Sequence, residues 1–288
     1  MSFNSTHHTP NINFKHREVL ADWKTGFESR LTYKLHLPYQ EFIGVSGGFE
    51  DITDSSCEYR LVRLSNNLTA VCVHNPDAKQ AAAALSVNVG HMANPPELPG
   101  LAHLLEHVLF MSSAKYPDED GYRAYLSEFS GKANAYTDNA NTCFHFDVSN
   151  SGLEGALDRF SRFFIDPLIN ADSVHRELHA VDSEHTLYTR MDSWRQYIMF
   201  KAITDQTHPY AIYGNGNTGT LKGSADKLGL DLHQELVNFY QKFYSADIMN
   251  LVIYGNHGLD QLTEWAVSMF SSIESKGVTK PLLPTHTL

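Results

Sequence analysis

The sequence predicts an α+β fold, and three observations lead there. Of its 288 residues, 42% are hydrophobic and 19% charged, which supplies a sizeable core and excludes a disordered or collagen-like chain. Segments that alternate apolar and polar residues stand beside segments with the helical period. The strand-like segments are grouped and interleaved with helix pairs instead of following a strict β-α-β order. The length, about twice a common domain size of roughly 150 residues, allows one large domain or two small ones.

Residues 1–50 are polar and His-rich without a sustained period, and are expected to be an N-terminal extension. A domain is expected over 51–277. Residues 278–288, which end in KPLLPTHTL, read as an interdomain linker or C-terminal tail. EYRLVRLSNNLTAVCV, from Glu58, gives two short strands around Ser65-Asn66-Asn67, because Asn tolerates the positive φ of such turns. Residues 82–91 form a third, mostly apolar strand. Pro95, Pro96, Pro99 and Gly100 then clear the way for a helix over 101–111, LAHLLEHVLFM. Asp118 to Ser130 reads as a helix opened by Pro117 and closed by Gly131.

KANAYT (132–137) reads as a polar turn. TCFHFDVS (142–149) alternates strictly, with Phe144, Phe146 and Val148 on one face and Cys143, His145 and Asp147 on the other. That is a hairpin with one face in the core. Helices are expected over 151–165, 172–203, 230–244 and 258–274, with a strand at 249–255, MNLVIYG. There is no internal repeat and no low-complexity segment.

Charge and cysteine usage narrow the function classes. Against 33 Asp and Glu stand 22 Lys and Arg, a net charge of −11. Phosphate backbones need clustered cations, so nucleic acid is excluded as a partner. Cys57, Cys72 and Cys143 are too few and too scattered for a disulfide framework or a thiolate metal site, and fit a reducing compartment. The first twenty residues lack the apolar core of a signal peptide and, Lys15 and Arg17 apart, the character of a transit peptide. The expected setting is cytoplasmic, with a mitochondrial one as the alternative. No apolar run reaches the 18 residues of a membrane span.

The informative motif is His103-Leu104-Leu105-Glu106-His107. On a helix, positions 103, 106 and 107 fall within about 100° of one another. Two imidazoles four apart can share one Zn²⁺, and the carboxylate between them sits beside the metal-bound water. This is the inverted form, H-x-x-E-H, of a common zinc-peptidase motif. A His-rich helix with solvated imidazoles is the bland alternative.

Zinc needs a third protein ligand. The expected long helix from Asp172 has an apolar stripe through Val174, Leu178, Val181 and Tyr188, with Glu177 and Glu184 on its edge. A carboxylate there costs several kcal/mol unless paired or metal-bound. One Glu as ligand and the other holding a His ring would remove both costs. Surface pairing with Arg176 or Arg190 is the competing reading. His175, His179 and His185 read as solvated imidazoles, His7-His8 as part of a tail, and YGNGN as a loop instead of a phosphate cradle.

These residues carry a family resemblance. HLLEH, followed 77 residues after its second His by Glu184 in ELHAVDSEH, resembles the pitrilysin/insulysin family of zinc metallopeptidases. The likeness extends from about Glu58 onward through GHMANPPELPGLAHLLEHVLFM, KYPDEDGYRAYLSEFSGKANAYT, LEGALDRFSRFFIDPL and HPYAIYGNGN. It implies a mostly antiparallel sheet covered by helices, as in pitrilysin and mitochondrial processing peptidase. It also implies one Zn²⁺ per chain held by His103, His107 and Glu184, with Glu106 as general base and Glu177 as an outer acid. KANAYT becomes an exposed edge strand on which a peptide substrate adds as a further strand, contacted at Asn134 and Ala135. Phe110, Trp194 and Tyr197 are expected to line the pockets beside the scissile bond, with plain core packing as the alternative.

Members of the insulysin branch resemble about four such domains in one chain, of which this sequence matches the first. The expectation is therefore a zinc-dependent metalloendopeptidase. The alternative is a weakly active or inactive peptide- and zinc-binding module that needs further domains or a partner chain. A third, weaker reading is a structural subunit of the kind related domains form in respiratory complexes. Those typically lose the metal residues, and here all of them are present.

Overall fold

The computed structural model describes residues 39–42 and 56–281. Seven strands among the described residues form one sheet: β1 (Tyr39–Phe42), β2 (Glu58–Leu64), β3 (Thr69–His74), β4 (Gln80–Val87), β5 (Lys132–Thr137), β6 (Thr142–Ser149) and β7 (Met249–Gly255). Their order is β1-β2-β3-β7-β4-β6-β5. Every neighbouring pair is antiparallel except β3 with β7. Among the described residues eight α-helices accompany the sheet: α1 (Leu101–Leu109), α2 (Gly121–Glu128), α3 (Leu153–Ile165), α4 (Ala171–Tyr188), α5 (Asp192–Ile203), α6 (Ser224–Leu228), α7 (Leu232–Phe243) and α8 (Leu259–Phe270). The fold is α+β, as the sequence predicts.

The alternation of β6 decides its orientation. Phe144, Phe146 and Val148 are buried against the helices, and the register pairs them with Leu85, Ala83 and Ala81 of β4. Phe160, Phe163 and Phe164 of α3 interlock with these rings in an aromatic cluster that reaches Tyr122 and Phe270. Each such fully buried side chain contributes about 1.5–3 kcal/mol through area removed from water. The turn between β2 and β3 holds Asn67 at φ +71, as expected for Asn in such a turn.

Several expectations are corrected. KANAYT forms β5, as the resemblance implies, instead of a turn: it alternates, but its inward residues are the small Ala133 and Ala135 and the polar Thr137, so the pattern reads as polar. The single helix expected over 172–203 is two. Met191 is extended between α4 and α5, Asp192 restarts the helix where a carboxylate suits the N-terminus, and Trp194 stacks on Tyr188 across the break at 3.9 Å. Within the expected extension, Tyr39–Phe42 pairs with β2 as a strand of the sheet. The rest of that stretch and residues 282–288 of the expected tail lie outside the described residues. A π-type turn at Gly219–Gly223 and the short α6 had no counterpart in the reading of the sequence. Among the described residues no helix is long and apolar enough to cross a membrane, and the three cysteines are free.

Candidate metal centre and active site

Helix α1 is positioned by its own composition. Leu101, Leu104, Leu105, Val108 and Leu109 are almost completely buried, which leaves His103, Glu106 and His107 on the face turned to α4 and β5. Gly100 precedes the helix at φ +104, and a Cβ there would lie 2.4 Å from Cα of Gly216. Only glycine permits this approach of the 212–217 loop to the head of α1. Asn94 Oδ1 accepts from the Ala102 amide at 2.8 Å, satisfying one donor of the first turn.

The predicted residues meet. His103, His107 and Glu184 offer one ligand atom each, all within 4.8 Å of one another, and they are the one such group of three among the described residues. Glu184 Oε2 lies 3.3 Å from His103 Nε2 and 3.8 Å from His107 Nε2. Tetrahedral ligands at about 2.1 Å from a zinc ion stand about 3.4 Å apart, so the set fits a divalent cation. Glu184 Oε2 is also buried without a hydrogen-bond donor, whereas Oε1 accepts from Tyr188 at 2.5 Å. A buried carboxylate oxygen with no donor is costly unless a cation completes it.

The other ring nitrogens are occupied. His103 Nδ1 donates to the Asn215 carbonyl at 2.8 Å, and His107 Nδ1 donates to Glu177 Oε2 at 3.1 Å. Both contacts fix the tautomer that leaves Nε2 facing Glu184. The competing Arg pairing is not formed, since Arg176 pairs with Glu119. Glu106 is 6% exposed, and the Thr137 hydroxyl of β5 donates to its Oε2 at 2.5 Å.

Burial dominates the charges here. It pushes Glu106 up to about 7, with the Thr137 hydrogen bond pulling the other way. Burial, followed by the neighbouring His107, pushes His103 down to about 4. Around Glu184 and His107 the balance reverses. Burial opposes both charges, but the Glu177 carboxylate bonded to its Nδ1 and the nearby Glu184 carboxylate raise His107, and the facing His107 ring together with the Tyr188 hydroxyl holds Glu184 below the usual carboxylate range.

Comparison with known proteins settles the family. The model described as "Insulinase (Peptidase family M16)" matches residues 69–210, and that described as "Peptidase M16 inactive domain" matches 231–288. Insulin-degrading enzyme of Mus musculus is 41% identical over 80% of this chain and 22% of its own length. The A-factor-processing enzyme of Saccharomyces cerevisiae is 44% identical over 78% of this chain and 22% of its own. The crystal structure of pitrilysin superposes with a TM-score of 0.77 and 34% identity, over 81% of this chain and 24% of that one. This chain belongs to the pitrilysin/insulysin family. It spans about a quarter of the length of the relatives it matches.

The remaining residues that the family pattern implies are placed unevenly. Asn134 and Ala135 lie on β5, which pairs only with β6 and so is the sheet's edge among the described residues; Asn134 is exposed. Trp194 stacks on Tyr188, which bonds Glu184, and Tyr197 meets Trp194 edge-on at 5.6 Å. Phe110 is different: at 7% exposed it packs against Phe144 and Phe163, one residue past α1, and its ring is part of the core. His175 and His179 are exposed, whereas His185, expected to be solvated, bonds the Tyr213 hydroxyl at 2.7 Å. The reading of the sequence missed Thr137, Tyr188 as a partner, and the Asn215 carbonyl. Tyr188 could have been found, being four residues from Glu184 on one helix face.

Proposed function

We propose that this chain carries the catalytic centre of a zinc metalloendopeptidase that hydrolyses peptide bonds, with one zinc ion per chain. The observation that carries the reading is the convergence of His103, His107 and the donor-less Glu184 Oε2 beside the buried Glu106. Zinc held by these three residues would polarise the peptide carbonyl and ease deprotonation of water. Glu106 then acts as the base, taking a proton from the attacking water on its carboxylate and passing it to the leaving amine. Thr137 orients that carboxylate, Glu177 holds His107, and Tyr188 keeps Glu184 turned so that Oε2 faces the imidazoles.

The substrate reading follows from β5. An edge strand grips any extended peptide by backbone pairing, so Asn134 and Ala135 would contact its main chain, and selectivity would come from side-chain pockets near Trp194 and Tyr197. Free thiols at Cys57, Cys72 and Cys143 support a reducing, cytoplasmic setting. A second reading, a peptide- and zinc-binding module that turns over slowly until further domains or a partner chain complete it, is favoured by the quarter-length match to the relatives.

A quenched fluorogenic peptide, incubated with this chain joined to or mixed with the remainder of a full-length relative, tests the activity. Cleavage should be lost with a chelator, return with zinc, and be absent in Glu106→Gln despite retained zinc. Cleavage that survives Glu106→Gln at the wild-type rate would overturn the reading.

A further inference from the structure

One buried histidine takes no part in the site just described. His91 opens the short 3-10 turn His91–Ala93, is 8% exposed, and its Nδ1 is buried without a hydrogen-bond partner. Its ring stands edge-on to His103 with centroids 6.5 Å apart. The turn is anchored on the β5–β6 connection, where the His91 amide donates to the Asp138 carbonyl at 2.8 Å and the Met92 amide to Asn139 at 2.9 Å. Burial keeps the ring neutral, so it adds no positive charge beside the metal ligands.

Two contacts give this ring its place. A Cβ at Gly214 would lie 2.2 Å from Cγ of His91, so the loop backbone rests directly on the imidazole. The next residue is Asn215, whose carbonyl accepts the His103 Nδ1 proton. The ring also reaches the backbone of Thr137, whose hydroxyl holds Glu106. The same loop is tied down elsewhere, by the Asp182 carboxylate on the Thr218 amide at 2.9 Å and by Lys201 Nζ on the Tyr210 carbonyl at 2.6 Å. Those ties secure its two ends; His91 lies under its middle.

We propose that His91 is a positioning residue for the metal centre: it props Gly214 so that the Asn215 carbonyl holds His103 in the tautomer whose Nε2 faces Glu184. The inference rests on the zinc reading for the ligands, but it concerns a residue outside them. Such supporting contacts are worth about 10- to 100-fold in metal affinity.

The test uses His91→Ala, Gly214→Ala and the double variant, with zinc affinity measured by chelator competition. In the metal-free chain, ¹⁵N-edited NMR of the imidazoles reads the His103 tautomer. Each single variant should lose about 10- to 100-fold in affinity and show His103 in mixed tautomers. The double variant should recover part of the loss of Gly214→Ala, because the added methyl fills the space the imidazole leaves. A purely structural role would lower thermal stability without the tautomer change or the recovery. If His91→Ala does not fold, Gly214→Ala carries the same test with His91 in place. Wild-type zinc affinity and a single His103 tautomer in both single variants would overturn the proposal. A wild-type chain that binds no zinc but changes tautomer in the variants would instead overturn the zinc reading and leave the positioning intact.

Discussion

Helices α1 and α5 both carry residues that the family pattern assigns to the site, yet they are packed in opposite ways. In α1 eight of nine residues are buried, and its two histidines and Glu106 are held by partners on α4, β5 and the 212–217 loop. In α5 the one buried residue is Lys201, while Met199, Phe200 and Ile203 stand 57%, 57% and 74% exposed. The contrast separates two tasks. The three candidate ligands and the side chains that hold them all lie within this chain, whereas the wall beside them, where Trp194 and Tyr197 sit, presents apolar surface that no described residue covers. Metal binding should therefore be a property of this chain, and efficient turnover a property of a larger assembly.

The largest effect that would break this division is catalytic. The 288-residue chain alone should cleave a fluorogenic peptide at least about 10²-fold more slowly than when the remainder of a full-length relative is supplied, since positioning and charge stabilisation come from both sides of the peptide. Equal rates would mean that the α5 wall needs nothing further.

Stability should divide the two helices as well. Leu105→Ala, fully buried in α1, should cost about 2–5 kcal/mol in urea unfolding. Ile203→Ser should stay within about 0.5 kcal/mol. A comparable loss at Ile203 would show that α5 is packed after all. Glu177→Gln should keep the fold and weaken zinc binding by about 10- to 100-fold, because the amide holds His107 less well than the carboxylate does.

Much of this arrangement was legible from residues because it follows from local period. Glu106 and the two histidines share a helix face by spacing alone, and β6 shows its buried side through Phe144, Phe146 and Val148. Glu184 was legible only in combination: a carboxylate on a core-facing stripe asks for a partner without naming it. What was hidden depends on distant chain. The Asn215 carbonyl carries no side-chain signature, and His91 acquires its place through Gly214, far along the sequence. The break before α5 contains no glycine or proline to announce it, and is held by the Tyr188–Trp194 stack. The edge strand β5 was masked by the small size of Ala133 and Ala135, and Phe110 by a ring turned inward at the end of α1.

Proton release offers a finer probe of the metal set. Because the bonded Glu177 carboxylate and the nearby Glu184 carboxylate raise the pKa of His107, zinc arriving near neutral pH must displace a proton from that ring. Apparent zinc affinity should accordingly rise with pH through neutrality and level off only above about 9, where the ring has lost its second proton. Calorimetry in two buffers of different ionisation enthalpy should record proton release, and a pH-independent affinity would contradict the assigned protonation.

The division of tasks rests on His103, His107 and Glu184 together holding one zinc. Elemental analysis of the purified 288-residue chain against His107→Ala and Glu184→Gln, with circular dichroism to verify folding, tests it most directly. Close to one zinc is expected per wild-type chain and little or none in His107→Ala, with a marked loss in Glu184→Gln. Equal, near-stoichiometric zinc in all three proteins would contradict it.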